Sequence, residues 1–278
     1  MNDRLASSQE RLGSAPERHR LIRKLESIAD LTTDDKEALL ALPMTVKSLA
    51  ADQDIVRDKD RPSQCCLILE GFVCRYKLLD GGKRQIMSFH TPGDFPDLQS
   101  LHLKVMDHSV GTLVPSKLAF IPHASIRDVI RRHPVLNDAL WRDTLVDAAI
   151  FREWMVGLGR REAYARIAHL MCEMLVRFKA VGLTNDHAYE LPITQGRLAR
   201  ASPGGRDGRD SRAVKDYFQK NLVQPVRTFR PLGEIVLARA RARPRRRPVR
   251  VEALVDDDLD PAVLAHHQDP RPRLPGGA

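Results

Sequence analysis

At 278 residues, 42% hydrophobic and 29% charged, the chain is long enough for two domains and has the composition of a globular protein. No apolar run approaches the roughly 20 residues that a membrane span needs, and no charged-then-apolar leader opens it, so a cytoplasmic protein with no membrane partner is expected. The net charge of +9 suggests nucleic acid, yet residues 1–195 carry 27 Lys+Arg against 26 Asp+Glu while 196–278 carry 18 against 10, so the basicity lies at the C-terminal end.

Residues 1–20 are polar and read as a flexible tail. Short helices are predicted around 21–28 and 33–42, the second capped by Thr33 ahead of Asp34 and Asp35. From 44 to 123, short apolar pieces are separated by turn residues: Asp58-Lys59-Asp60, Glu70-Gly71, Asp80-Gly81-Gly82 and Thr91-Pro92-Gly93. Strands such as 66–69 and 72–78 joined by tight turns predict a small antiparallel barrel or roll. After Pro134 the spacing turns helical, with Leu136, Leu140, Trp141, Leu145, Ala148, Ala149, Phe151, Met155 and Leu158 in steps of one to four. So apolar a helix must bury its stripe, either on the protein's own roll or on a second subunit. Gly157 and Gly159 are predicted to interrupt it as a hinge.

A second amphipathic helix follows, with Ile167, Leu170, Met171, Met174, Leu175 and Phe178 on one stripe and Gly182 at its end. A short extended piece leads to Thr194, placed to cap a further helix. Helix, β connector and capped helix are how a winged-helix DNA-binding unit begins.

Three strings stand in one order: CLILEGFVCRYK (66–77), PGDFPDLQSL (92–101) and FREW (151–154), the last leading into the helix that opens on Arg160-Arg161. With them, residues 1–195 resemble a regulator of the Crp/Fnr superfamily, most of all its α-proteobacterial single-component members. The resemblance implies an α+β protein that is not an enzyme. Its parts would be a cyclic-nucleotide-binding-like β-roll sensor over 21–133, a dimerisation helix over 134–158 and a winged helix over 159–223. A homodimer follows from it, with Leu140, Leu145, Ala148 and Met155 at the interface, as does DNA as partner. An effector pocket would involve Gly93, Asp94, Asp97 and Leu98, with Asp97 where cyclic-AMP binders hold the ribose on a Glu. Those binders also place an Arg before a small hydroxyl residue to pair with the phosphate. Here the stretch reads Asp107-His108-Ser109-Val110-Gly111-Thr112, so cyclic AMP is not the expected effector, which stays unidentified.

No cofactor or metal is expected. Cys65, Cys66, Cys74 and Cys172 form no Cys-x-x-Cys pair and read as buried thiols, and the first 64 residues hold no Cys for an iron-sulfur cluster. His90, His102 and His108 are candidate haem ligands or, more simply, solvated or capping residues. The absence of a His-x-His pair argues against a cupin-type metal enzyme.

For DNA, the resemblance matches Thr194 and Gln195 to the first helix, which meets backbone phosphate, and Arg212 and Lys215 to the recognition helix. Between them, residues 196–212 hold four Gly, five Arg and a single bulky apolar residue, Leu198, and Pro203 with Gly204-Gly205 would break a helix. Family-like sequence returns at 211–223. Residues 224–278 then contain eleven Arg and no Lys and read as an Arg/Pro-rich low-complexity tail. Two compensating frame shifts would leave such a pattern; a genuine basic arm that adds phosphate contacts is the alternative. The rival to a DNA-binding regulator is accordingly a dimeric β-roll protein that has lost specific DNA binding and works through protein contacts.

Overall fold

In the computed structural model, residues 15–80, 82, 84–185, 188–193, 198, 224–226, 236–241 and 249–254 are described. Two helices, α1 (Ala15–Glu26) and α2 (Thr33–Leu40), precede seven strands. These are β1 (Thr45–Leu49), β2 (Asp54–Val56), β3 (Gln64–Glu70), β4 (Val73–Leu78), β5 (Arg84–His90), β6 (Ser109–Thr112) and β7 (Ser116–Pro122). They form two antiparallel sheets, ordered β1-β7-β3 and β2-β6-β4-β5. The mixed helix-and-sheet class and the β-roll are as the sequence predicts.

Side-chain alternation explains why the roll needs cover on both outer faces. Along β3, Cys66 and Ile68 meet Val56, Val73, Met106, Val110 and Leu118 between the sheets. Cys65, Leu67 and Leu69 point the other way, into a core with Leu21, Ile22 and Leu25 of α1 and Ile126 and Val129 of α3 (His123–Arg132). A period of two thus buries both faces of one strand. The turn from β3 to β4 needs Gly71: its φ is +106°, and a Cβ there would stand 2.8 Å from the Ser116 Cα.

The second sheet is covered by the C-terminal half. Helix α4 (Pro134–Arg160) is 27 residues long and α5 (Ala163–Ala180) follows it. Phe72, Cys74, Tyr76, Ile86 and Phe89 share one core with Trp154 of α4 and with Ile167, Met171, Met174 and Phe178 of α5. Phe72 stacks on Phe89 at 5.2 Å, and Trp154 meets Phe89 edge-on at 5.7 Å. The roll and the C-terminal helices are therefore joined by a continuous apolar contact.

Several local expectations are corrected. The first helix starts at Ala15, inside the stretch read as a tail, because Glu17 is buried and pairs with Lys117 Nζ at 2.9 Å. Thr32, not Thr33, caps α2: its hydroxyl accepts from the Asp35 amide while the Asp35 carboxylate accepts from the Thr32 amide, a reciprocal box. Gly157 and Gly159 do not interrupt α4, which continues to Arg160; Gly157 is buried beside Arg161 and Arg166. After α5, Gly182 takes φ +70° and β8 (Ala188–Leu191) begins the extended connector. Within the residues read as a tail, β9 (Gln224–Val226), β10 (Val236–Arg241) and β11 (Val249–Leu254) complete an antiparallel sheet ordered β8-β11-β10-β9, with Tyr189 opposite Val251.

Candidate effector pocket and interaction faces

The loop after β5 is held by the Asp94 carboxylate and by the backbone of β3. Asp94 Oδ2 accepts from the Thr91 amide at 2.7 Å, the Gly93 amide donates to the Ile68 carbonyl at 2.8 Å, and the Ile68 amide donates to the Asp94 carbonyl at 3.0 Å. Gly93 has φ +95° and lies so close to α1 that a Cβ would stand 3.1 Å from the Arg20 carbonyl oxygen. Gly93, Asp94, Asp97 and Leu98 lie on this loop and on the turn that follows it, and each is engaged by the protein itself. Leu98 packs into the core beneath the helices. Asp97 is 2% exposed and accepts from the Cys66 amide at 2.8 Å, and burial pushes its carboxyl up to about 7.

Asp94 is the hub of an ionic cluster that sequence reasoning missed. Its Oδ1 lies 2.7 Å from Lys24 Nζ and its Oδ2 3.2 Å from Arg177 Nη1. Lys24 also reaches Asp143 at 2.8 Å. Asp147, one helical turn further along α4, accepts from Arg75 Nη1 and from Arg177 Nη2, each at 3.0 Å. Glu173 lies 3.3 Å from Arg177 Nε and accepts from Trp154 Nε1 at 2.7 Å. Burial opposes ionisation of Lys24, but Asp143, Asp94 and Asp147 outweigh it and raise its pKa. Burial likewise opposes ionisation of Asp94, yet Lys24 and the other cations hold its carboxyl well below the usual range. Asp147 is lowered in the same way, against burial, chiefly by Arg75.

Among the described residues, the cations of this cluster are already paired with carboxylates. Arg75, the guanidinium nearest Asp97 and His108, is neutralised by Asp147 and donates through Nε to the Pro96 carbonyl at 2.6 Å. His108, where the expected Arg would stand, bonds Asp107 Oδ1 at 2.8 Å and Gln99 at 3.1 Å, and burial lowers its pKa. His90 is fully buried against Ser88 Oγ at 2.9 Å and is held neutral, its pKa pulled to about 4 by burial and then by Arg75. All four cysteines are free and buried, and among the described residues no group of His, Cys, Asp or Glu could hold a metal ion. Among the described residues no helix is long and apolar enough to cross a membrane.

The outer face of α4 carries a row of exposed apolar side chains. Trp141, Leu145, Phe151, Met155 and Leu158 are between 42% and 60% exposed, and Ala148 is half-buried among them. Leu140, expected on the same stripe, is instead buried with Leu136 and Ala139 in the protein's own core, because the first turns of α4 lie on the roll. Thr194, Gln195, Arg212 and Lys215 lie outside the described residues.

Residues 46–133 match the model of the cyclic nucleotide-binding domain. The chain is 23% identical over 194 residues to the transcriptional activator protein FnrL of Cereibacter sphaeroides, covering 68% of this chain and 74% of the relative. It is 27% identical over 152 residues to the nitrogen fixation regulation protein FixK of Bradyrhizobium diazoefficiens, covering 54% of this chain and 62% of the relative. Among solved structures it is similar to FixK2 from Bradyrhizobium japonicum, with a TM-score of 0.56 at 22% identity over 67% of this chain and 90% of that one, a likeness of fold.

Proposed function

We infer how the protein works from one premise: this chain belongs to the Crp/Fnr family and is a DNA-binding transcription regulator. It acts as a homodimer whose interface is the outer face of α4. The observation that carries this is the exposed stripe Trp141, Leu145, Ala148 and Met155, whose steps of four, three and seven keep one face of a helix apolar. The same helix presents its other face to the roll, so both partners named by its composition are used. Thr194, Gln195, Arg212 and Lys215 serve the DNA through its phosphates.

The effector is not a cyclic nucleotide. A phosphate held at residues 93–98 would find Lys24, Arg75 and Arg177 already paired with Asp94, Asp143, Asp147 and Glu173, and would lose its hydration without gaining a free cation from this cluster. Calorimetry with cyclic AMP is expected to show no saturable binding below roughly millimolar, and micromolar binding overturns this reading.

Light scattering on the full chain tests the dimer. It should give twice the monomer mass, and Leu145→Asp should shift the mass towards the monomer by placing an unpaired charge in the interface. A monomeric wild-type protein would refute the proposal.

A further inference from the structure

The ionic cluster draws on five elements far apart in the chain. Lys24 comes from α1, Arg75 from β4, Asp94 from the loop after β5, Asp143 and Asp147 from α4, and Glu173 and Arg177 from α5. Their side chains are between 3% and 18% exposed. Within this set, the bonds that tie the C-terminal unit to the sensor are those of Arg177. Its Nη1 donates to Asp94 Oδ2 at 3.2 Å and to the Phe89 carbonyl at 3.1 Å, while Nη2 donates to Asp147 Oδ1 at 3.0 Å.

We propose that Arg177 is an interdomain latch: a buried guanidinium on the first helix of the C-terminal unit, seated between the loop carboxylate of Asp94 and the long-helix carboxylate of Asp147, so that displacement of that loop unfastens α5. Ion pairs of this kind add little net stability, because burying the charges costs about as much as their attraction returns. What they add is geometry. An apolar contact slides, whereas a guanidinium held by two carboxylates is either seated or rehydrated, which makes the joint two-state.

A second feature of the joint argues the same way. The Cβ that Gly93 lacks would stand 3.2 Å from Val181 Cγ1, and Gly182 leaves room for the Arg23 guanidinium. The loop, α1 and the end of α5 are therefore in direct contact on one side of Arg177. A shift of residues 92–94 is pressed on Val181 at the same time as it draws Asp94 from the guanidinium. Asp94 is also bound by Lys24, so α1 sets the loop position in which the latch is closed.

Hydrogen exchange on the full chain tests this, with Asp94→Asn and Arg177→Met compared to wild type. Unfastening is expected to raise exchange across α5 about tenfold or more while the roll strands β3 and β7 keep their protection, since only the joint opens. With Trp141→Phe as background, Trp154 emission should move to longer wavelength as its contacts with Phe89 and Glu173 loosen. Arg177→Lys, which keeps the charge but not the two-pronged grip, should fall between. If Arg177→Met does not fold, Asp94→Asn gives the same discrimination, because its amide preserves the shape of the loop. Unchanged exchange in α5, or an equal rise in β3 and β7 that marks a general loss of stability, overturns the proposal.

Discussion

Trp154 Nε1 donates to Glu173 Oε2 at 2.7 Å, a hydrogen bond between α4 and α5 buried beneath the roll. The indole also rests edge-on against Phe89, so one side chain joins both helices and β5. Trp154→Phe keeps most of the ring volume but removes the donor to Glu173 Oε2, leaving Arg177 as the carboxylate's remaining partner, and should lower stability by about 1–3 kcal/mol. Trp154→Ala adds a cavity and should cost about 3–5 kcal/mol. Glu173→Gln, whose amide oxygen still accepts, should cost least. Urea denaturation of the three variants checks the order, and equal losses for the Phe and Ala variants would show that the hydrogen bond and the ring contact are not separable in this way.

Two glycines should respond in opposite directions to alanine. At Gly71 the added methyl would overlap the Ser116 side chain and its Cα, at a φ of +106° that L-residues rarely adopt. The β3–β4 turn cannot move without disturbing both sheets, so Gly71→Ala should cost several kcal/mol, on the order of an overpacked core plus backbone strain. At Gly159, within α4, the methyl meets nothing within 4 Å. Helical preference then favours alanine by about 1 kcal/mol, and Gly159→Ala should raise the melting temperature. A destabilised Gly159→Ala would mean that the end of α4 has to open in the folded protein.

The elements were legible where the pattern was local. Period-two alternation with Gly71 and Pro92-Gly93 at the turns announced the roll, and the stripe from Ile167 to Phe178 announced α5. What was missed depended on partners distant in the chain. Glu17 extends α1 because Lys117, a hundred residues on, neutralises it. Asp94, Asp147 and Arg177 look like ordinary surface charges until three elements converge, although Asp143 and Asp147, four apart and so on one face of α4, were a hint. Leu140 and Leu145 look alike in the sequence; only the path of α4 over the roll decides that one is core and the other exposed.

Buried Asp97 and the buried histidines give stability opposite dependences on pH. Asp97 titrates near 7 in the folded protein and near 3.9 unfolded, so the folded state holds the extra proton, and stability falls as pH rises from about 4 through 7. His90 and His169 are lowered to about 4 by burial against about 6.5 unfolded, so their contribution is present above 6.5 and is lost as pH falls towards 4. Asp97→Asn keeps an acceptor for the Cys66 amide and removes only the falling component. Between pH 5 and 7 the variant should therefore gain about 1–2 kcal/mol more than wild type, read from urea midpoints at the two pH values. Parallel pH profiles would show that Asp97 is ionised throughout.

DNA recognition by this chain turns on residues 196–212. Base readout needs a rigid helix that keeps its side chains in register along the major groove, locked to its neighbour by an apolar wedge. The stretch offers four glycines, Pro203 and only Leu198 as a bulky apolar residue, so it lacks the side chains for that wedge. Its five arginines can still neutralise phosphates, as can those of 224–278. The expected outcome is binding that falls steeply with salt and is equal on any duplex, with a slope set by the number of phosphates contacted. Arg212→Ala should then weaken all duplexes alike rather than relax a preference at one base pair. Gel-shift competition decides it: a two-fold symmetric operator that outcompetes random duplex by about a thousandfold or more, the lower range for specific binding, would mean that 196–212 builds a working recognition unit despite its composition.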